Sequence, residues 1–232
     1  MKKIITTICA AWTLIFLSTG TLLADASNFA GPYVGVSASG YGLQLNGTSR
    51  TAAGTQGGAI DIDEVSIGQV APLTGLQAGY AIPLGSMFLL DVGVAHYSGE
   101  AKLEYHNDNE KQNTTSVGAK DISFTVGDLN QAWIAPTIAL TDSSSVYVKL
   151  GLSEAQVSTS GDITSPGDLS GQTWAMGTRT VLENGIFITT EAGYTDYNGI
   201  SAHGKGTTVS AANSYSAEPT IAFGAVSLGF RF

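Results

Sequence analysis

The sequence is poor in cysteine and in charge. Its one cysteine, Cys9, lies close to the start of the 232-residue chain. The rest of the chain can therefore form neither a disulfide nor a cysteine-based metal site. Charged residues make up 12% of the chain, whereas about a quarter is usual in soluble proteins. Lys and Arg number 10 against 19 Asp and Glu, an acidic balance that excludes the basic footprint of a nucleic-acid-binding protein.

Long apolar runs are confined to the beginning of the chain. Two lysines precede a largely apolar stretch over residues 4–23, and Ala24-Asp25-Ala26 follows as a small-residue cleavage site. This order is typical of a secretory signal peptide. We therefore expect residues 1–26 to be removed on export and residues 27–232 to form one domain. No later apolar run approaches the ~20 residues that a membrane helix needs.

In place of long apolar runs, the chain has short segments in which apolar residues alternate with small or polar ones. The last seven residues, VSLGFRF, show this clearly, because Val226, Leu228, Phe230 and Phe232 alternate with serine, glycine and arginine. A period of two is typical of a β-strand whose two faces meet different surroundings. Eight such segments cover residues 31–45, 72–82, 87–99, 132–141, 146–157, 172–182, 185–197 and 220–232.

The connections between these segments are alternately short and long. Three short ones contain the residues of tight turns and span 83–86, 142–145 and 183–185. Four long, polar ones span about 46–70, 100–130, 158–171 and 198–218. Outer-membrane barrels have such short periplasmic turns and long extracellular loops. We therefore predict an all-β fold, an eight-stranded antiparallel up-and-down transmembrane β-barrel, located in the cell outer membrane after export through the periplasm.

The two faces of the predicted strands assign residues to lipid or to the lumen. We expect interfacial girdles to include the aromatic residues near strand ends, Tyr80, Trp133, Trp174, Tyr194, Phe230 and Phe232. The opposite face carries Asp91, Lys149, Arg179, Glu191 and Arg231. Because eight strands leave an interior just wide enough for side chains, we expect these charges to form a polar network that plugs the lumen. A narrow, gated, porin-like channel through the same residues is an alternative.

Both ends of the chain resemble a known superfamily. Leu228, Phe230 and Phe232 resemble the C-terminal signal read by the bacterial barrel assembly machinery. The segments GPYVGVSASGY and TTEAGYTDY resemble those of the small OmpA-like, opacity-type outer-membrane proteins of Gram-negative bacteria. The resemblance implies location rather than activity. We expect a monomeric, non-enzymatic protein in contact with outer-membrane lipid and lipopolysaccharide. Its role would be structural, or its extracellular loops would bind a host or surface ligand.

One stretch, HYSGE, suggests catalysis. His96 and Ser98 are two residues apart and share a strand face, so that a base could lie beside a nucleophile. Glu104 or Glu110 could orient the histidine. The stretch is similar to one in the lipid A deacylase barrels, although Gly99 stands where they would have Asn and the stretch lies in the third strand. We expect polar residues at a strand edge rather than an active site, with a lipid A-modifying enzyme as the alternative.

Other candidate sites are weaker, and we expect neither a metal nor a cofactor. Asp61, Asp63 and Glu64 lack the twelve-residue pattern of a calcium loop, and His106 and His203 have no partner at zinc-ligand spacing. A soluble, lipocalin-like carrier would also have eight strands, but its apolar face would turn inward around a ligand. The small and polar second face of these strands fits a narrow, filled lumen better.

Overall fold

The structure is a computed structural model that describes residues 24–51, 61–107, 120–161, 163–205 and 213–232. Within these ranges nine antiparallel strands form one sheet. They are β1 (Gly31–Thr51), β2 (Asp61–Pro83), β3 (Phe88–Asn107), β4 (Lys120–Ala139), β5 (Ser144–Ser160), β6 (Leu169–Val181), β7 (Ile186–Tyr197), β8 (Ile200–His203) and β9 (Ser214–Arg231). β1 to β7 pair in chain order, β9 pairs with β7 and β1, and the short β8 lies beside β9. The predicted eight-stranded up-and-down barrel is therefore confirmed, with β8 as an addition.

The barrel closes where β9 pairs with β1. This pairing runs along β9 from Ser214 to Arg231. It explains the alternation at the end of the chain, because Val226, Leu228 and Phe230 point to the outer face and are 55%, 52% and 43% exposed. Among the described residues, no helix is long and apolar enough to cross a membrane.

The short turns lie where they were predicted, but the strands extend further at the other end. Turns of four residues join β2 to β3, β4 to β5 and β6 to β7. The predicted loop 46–70 is mostly strand, because β1 and β2 stay paired up to Thr51 and Asp61. β3 and β4 likewise stay paired up to Asn107 and Lys120. Turn-forming residues remain in strands here because neighbouring strands supply their backbone hydrogen bonds.

Two zones follow each other along the outward face of β3. Phe88 and Val94 belong to an apolar band and are 51% and 57% exposed, whereas Glu100 and Lys102 beyond it are charged and exposed. From Phe88 to Ser98 the strand rises by about 25 Å at ~3.3 Å per residue and a tilt of ~40°, which equals the height of a transmembrane barrel's apolar band. The strand segments beyond the band form the projecting part, residues 39–51, 61–73, 99–107, 120–129, 155–160, 200–203 and 214–222.

The polarity of the lumen changes in the opposite order along the barrel. At the level of the apolar band it contains charged and polar side chains, whereas in the projecting part it is filled by an apolar core. Within that core Tyr41 stacks on Phe223 with 5.1 Å between the ring centroids, and Leu43, Leu45 and Leu103 are buried. The projecting part thus has the pattern of a water-soluble barrel, stacked on a membrane barrel with the reverse pattern.

Inward-facing aromatic rings lie opposite glycines on the neighbouring strand. The directly opposed pairs are Tyr33 with Gly79, Tyr97 with Gly75, Trp133 with Gly93, Tyr147 with Gly177, Phe187 with Gly229, Tyr197 with Gly171 and Phe223 with Gly193. A Cβ atom built on Gly93 would lie 2.5 Å from Trp133 Cζ2 and 2.9 Å from the Ala78 carbonyl oxygen. These glycines therefore provide the space that large rings need in a narrow lumen. The need explains part of the abundance of glycine, with 29 in the chain.

Gly93→Ala should destabilise the barrel by about 1–3 kcal/mol, the usual cost of forcing extra atoms into a packed interior. The matched control is Gly224→Ala, since an added Cβ there would meet nothing within 4 Å on the outer face. Urea unfolding in detergent micelles, followed by tryptophan fluorescence, measures both. Equal midpoints for the two variants would show that the ring over Gly93 is not tightly packed.

Candidate functional site

Four of the five charged residues assigned to the lumen meet in one layer. Asp91 Oδ2 lies 2.7 Å from Arg179 Nη2, and Glu191 Oε2 lies 2.6 Å from Lys149 Nζ. No more than 10% of any of these side chains is exposed. The residues come from β3, β6, β7 and β5, each from the inward face of its strand. The layer is neutral as a whole, which matters because an unpaired buried charge is costly.

Two tyrosines complete the hydrogen bonding of the carboxylates. The Tyr33 hydroxyl donates to Asp91 Oδ1 at 2.6 Å, and the Tyr147 hydroxyl donates to Glu191 Oε2 at 3.0 Å. The Arg179 guanidinium also lies over the Tyr33 ring, 4.7 Å from its centroid. Each carboxylate thus has a cation and a hydroxyl donor, which fixes its orientation in the lumen.

Trp133 belongs to this layer and not to an interfacial girdle. Its side chain is 6% exposed and faces the lumen, where Lys149 Nζ lies 4.3 Å from the ring centroid. The girdle prediction for this residue is wrong, because Trp133 is in phase with the inward Ala135 rather than with the outward Ile134. The other five aromatic residues do point outward and are exposed: Tyr80, Trp174, Tyr194, Phe230 and Phe232.

Arg231 lies apart from the other four charges. Its guanidinium Nη1 donates to the carbonyl oxygens of Ser27 at 3.1 Å and Ala30 at 3.0 Å. It thereby fastens the segment before β1 to the turn end of the barrel. Phe29 in this segment is 1% exposed and belongs to a small apolar cluster with Ala81, Leu89 and Ala139.

A row of hydrogen-bonded polar groups separates the charged layer from the apolar core. Gln131 Nε2 donates to Ser153 Oγ at 3.1 Å, Ser153 Oγ lies 2.7 Å from Thr173 Oγ1, and Thr173 Oγ1 lies 2.8 Å from Thr195 Oγ1. The void beside the charged layer measures about 10 Å³. This is about the space of one water molecule. At this level the described lumen is filled by side chains.

His96 and Ser98 lie on the outer face of the barrel and form a hydrogen-bonded cluster with a residue of β4. Ser98 Oγ is 3.3 Å from His96 Nε2, and His96 Nδ1 is 2.9 Å from Asn130 Oδ1. All three side chains are exposed. With the amide oxygen as acceptor, Nδ1 carries the proton and Nε2 is free to accept from the serine hydroxyl. This is the order of groups in a nucleophile, base and orienting residue.

The residue beside His96 is not one of the glutamates considered from the sequence. Glu104 is engaged with Lys102, whose Nζ lies 2.7 Å from its Oε1, and Glu110 lies outside the described residues. Asn130 was missed because it is 34 positions away in the chain. Only the register of β3 with β4, which pairs His96 with Asn130, could have found it.

The acidic and histidine residues weighed as metal ligands do not come together in the described structure. In the described part of the chain, no three His, Cys, Asp or Glu side chains are grouped so as to hold a metal ion. Asp61 and Asp63 are in β2, and Glu64 beside them is exposed. The side chain of His106 is not among those described.

Comparison with known proteins supports the fold. OprG, an outer membrane protein of Pseudomonas aeruginosa, is 12% identical over 88% of this chain and 97% of its own, with a TM-score of 0.54. The chain has the fold of a small outer-membrane β-barrel. No family model matches it, and no curated protein matches it.

Two further solved structures are similar at lower TM-scores. Neisserial surface protein A is 13% identical over 88% of this chain and 98% of its own, with a TM-score of 0.44. Ail, the attachment invasion locus protein of Yersinia pestis, was solved with the heparin analogue sucrose octasulfate. It is 14% identical over 85% of this chain and 99% of its own, with a TM-score of 0.40. At these identities the likeness concerns the fold alone.

Arg179→Met should destabilise the barrel by about 3–5 kcal/mol, because it leaves the buried Asp91 carboxylate without its cation. Asp91→Leu combined with Arg179→Met should recover much of that loss. The control is Lys102→Met, which breaks a solvent-exposed ion pair and should leave the urea midpoint nearly unchanged. Urea midpoints in detergent measure all three, and similar effects at Arg179 and Lys102 would contradict the buried pairing.

Proposed function

We propose that the protein is a sealed barrel of the Gram-negative outer membrane whose role is structural or lies in surface interaction, and not in transport. The observation that supports a sealed barrel is the filled lumen. Two buried ion pairs, a row of hydrogen-bonded side chains and an apolar core follow each other along it. A gated channel would have to separate both ion pairs and then cross an apolar core, which is unfavourable for an ion.

The surface role is supported by the projecting part. In β1 it extends for 13 residues beyond the apolar band, which is a rise of about 30 Å at ~3.3 Å per residue and a tilt of ~40°. Its paired strands and apolar core would hold the outer end of the described barrel well clear of the membrane surface. Exposed binding segments on a rigid scaffold are a common arrangement for recognition.

The charges of this surface indicate the kind of partner. Eight acidic side chains are exposed at or beyond the edge of the apolar band: Glu64, Glu100, Glu104, Asp128, Glu154, Asp168, Asp196 and Glu218. The exposed basic ones among the described residues of this region are Arg50, Lys102 and Lys205. Complementary charge favours a basic ligand or partner. A nucleic acid is disfavoured for the same reason.

The apolar band supports contact with lipid and passage through the barrel assembly machinery. Leu228 and Phe230 on the outward face of the last strand, and Phe232 just after it, are 52%, 43% and 73% exposed. Such a row would be costly on a soluble carrier, where it would face water. It is available for recognition during assembly and afterwards for contact with lipid, as expected for a monomeric barrel.

Single-channel recording in a planar lipid bilayer tests the sealed lumen. The refolded protein should insert without producing conductance steps, because side chains fill the charged layer and the apolar core in the part of the lumen that the structure describes. An established porin, added to the same membrane, serves as the control for detection. Steady steps that appear with the folded protein and disappear when it is boiled beforehand would contradict a sealed barrel and favour the channel.

A further inference from the structure

The cluster on the outer face of β3 and β4 has the geometry of a proton relay. Asn130 Oδ1 accepts from His96 Nδ1 at 2.9 Å, and His96 Nε2 lies 3.3 Å from Ser98 Oγ. The amide fixes the imidazole in the tautomer that can take a proton from the hydroxyl. Ser98 is thereby placed beside a base, and the base beside an orienting group, the arrangement that activates a serine in hydrolases of several unrelated folds.

The position of the cluster selects the kind of substrate. Along the outward face of β3, Val92 and Val94 precede His96 and Ser98, and the charged Glu100 follows them. The neighbouring strands show the same change from apolar to polar on their outward faces. In β4 the apolar Ala132 is followed toward the projecting part by Asn130, and in β5 Leu152 is followed by Glu154. The cluster therefore lies at the edge of the apolar band. In a bilayer this is the depth at which acyl chains are joined by ester bonds to their headgroups.

A shallow apolar depression adjoins the cluster on the same face. It has a volume of about 700 Å³ and reaches from His96 and Ser98 across β2 and β1 to β9. Its lining includes the short side chains of Ala38 and Thr74 and the apolar side chains of Leu76 and Leu228. A depression of this shape beside the serine can hold the first part of an acyl chain.

We propose that Ser98, His96 and Asn130 form a serine acyl-hydrolase site that cleaves fatty acyl esters of membrane lipids. Ser98 Oγ attacks the ester carbonyl carbon while its proton passes to His96 Nε2. The ester C–O bond then breaks, the leaving alcohol takes the proton from His96, and the acyl group stays on Ser98. Water attacks this acyl-enzyme with His96 as base, which releases the fatty acid and restores the hydroxyl. The net reaction consumes one water.

The backbone next to Ser98 is irregular in a way that fits this role. Pairing of β3 with β2 ends at Ser98, and pairing with β4 is interrupted between Tyr97 and Glu100. Gly99, with φ of +138°, belongs to neither register. Its N–H directly follows the nucleophile, the position from which α/β-hydrolases take one oxyanion donor.

This activity goes beyond the proposed surface role and does not depend on a sealed lumen. The first test uses a fluorophosphonate probe on the refolded protein in detergent, where placement in a bilayer plays no part. Wild-type protein should be labelled at Ser98 with loss of fluoride from the probe. Ser98→Ala should abolish labelling and His96→Ala should slow it by about 10²–10⁴-fold. Thr190→Ala removes an outward hydroxyl on β7 and should leave labelling unchanged.

Asn130 is a positioning residue and needs a readout that a merely structural role would not change. Asn130→Ala should slow labelling by roughly tenfold or more, whereas Asn130→Asp keeps an acceptor for Nδ1–H and should restore it. Because the carboxylate favours the protonated imidazole, the acid limb of the pH–rate profile should move to higher pH in Asn130→Asp. Gel mobility before boiling checks that each variant is folded.

The second test identifies the lipid. Protein reconstituted with phosphatidylethanolamine vesicles, and separately with lipopolysaccharide, is assayed for released fatty acid by mass spectrometry. Ser98-dependent release in one arm supports the site and names its substrate source, a phospholipid or lipid A. Release that is equal in wild type and Ser98→Ala, or no release in both arms together with no labelling, would overturn the proposal and leave the cluster as interfacial polar residues.

Discussion

The pairing of β9 with β1 is the constraint on which the rest of the structure depends. A membrane offers no water to an unpaired strand edge, so a sheet that spans it must close. Closing with eight strands leaves a lumen only as wide as its side chains. Every inward position is therefore crowded. The rings of Trp133 and Tyr147 fit because Gly93 and Gly177 oppose them, and the four charges of the charged layer fit because each has an opposite charge within 3 Å.

The same closed sheet crosses two surroundings and changes its pattern between them. Within the apolar band its outside is apolar and its lumen holds the charged and polar side chains, whereas the projecting part has an apolar core and a mostly polar outside. The change of pattern marks the edge of the band, and His96, Ser98 and Asn130 lie at that edge. A polar cluster at this depth is where interfacial chemistry on lipid would take place, while the projecting part would meet partners outside. The two proposed roles thus use different heights of one barrel.

Much of the fold could be predicted from the sequence, because a period of two and the turn-forming residues are local signals. They predicted the eight strands, the short turns and the inward phase of residues such as Asp91 and Arg179. They could not predict which inward residues touch, since that depends on the stagger of the strands. Arg231 shares the inward phase but lies at the turn end, away from the other charges. Asn130 was missed for the same reason. The full length of β1 and β2 was missed because polar residues pair between these strands as well as apolar ones do.

The most direct measurement of the central claim is a disulfide across the closing seam. In a Cys9→Ser background, Ala38→Cys and Val226→Cys place one thiol on β1 and one on β9 at directly opposed positions. Such positions have Cβ atoms about 5 Å apart, within reach of a disulfide. Mild oxidation of the folded protein should join them and change its denatured mobility on a non-reducing gel. The control is Ala38→Cys with Thr190→Cys on β7, one strand further away. A cross-link in the control, or none at the seam, would contradict a closed barrel.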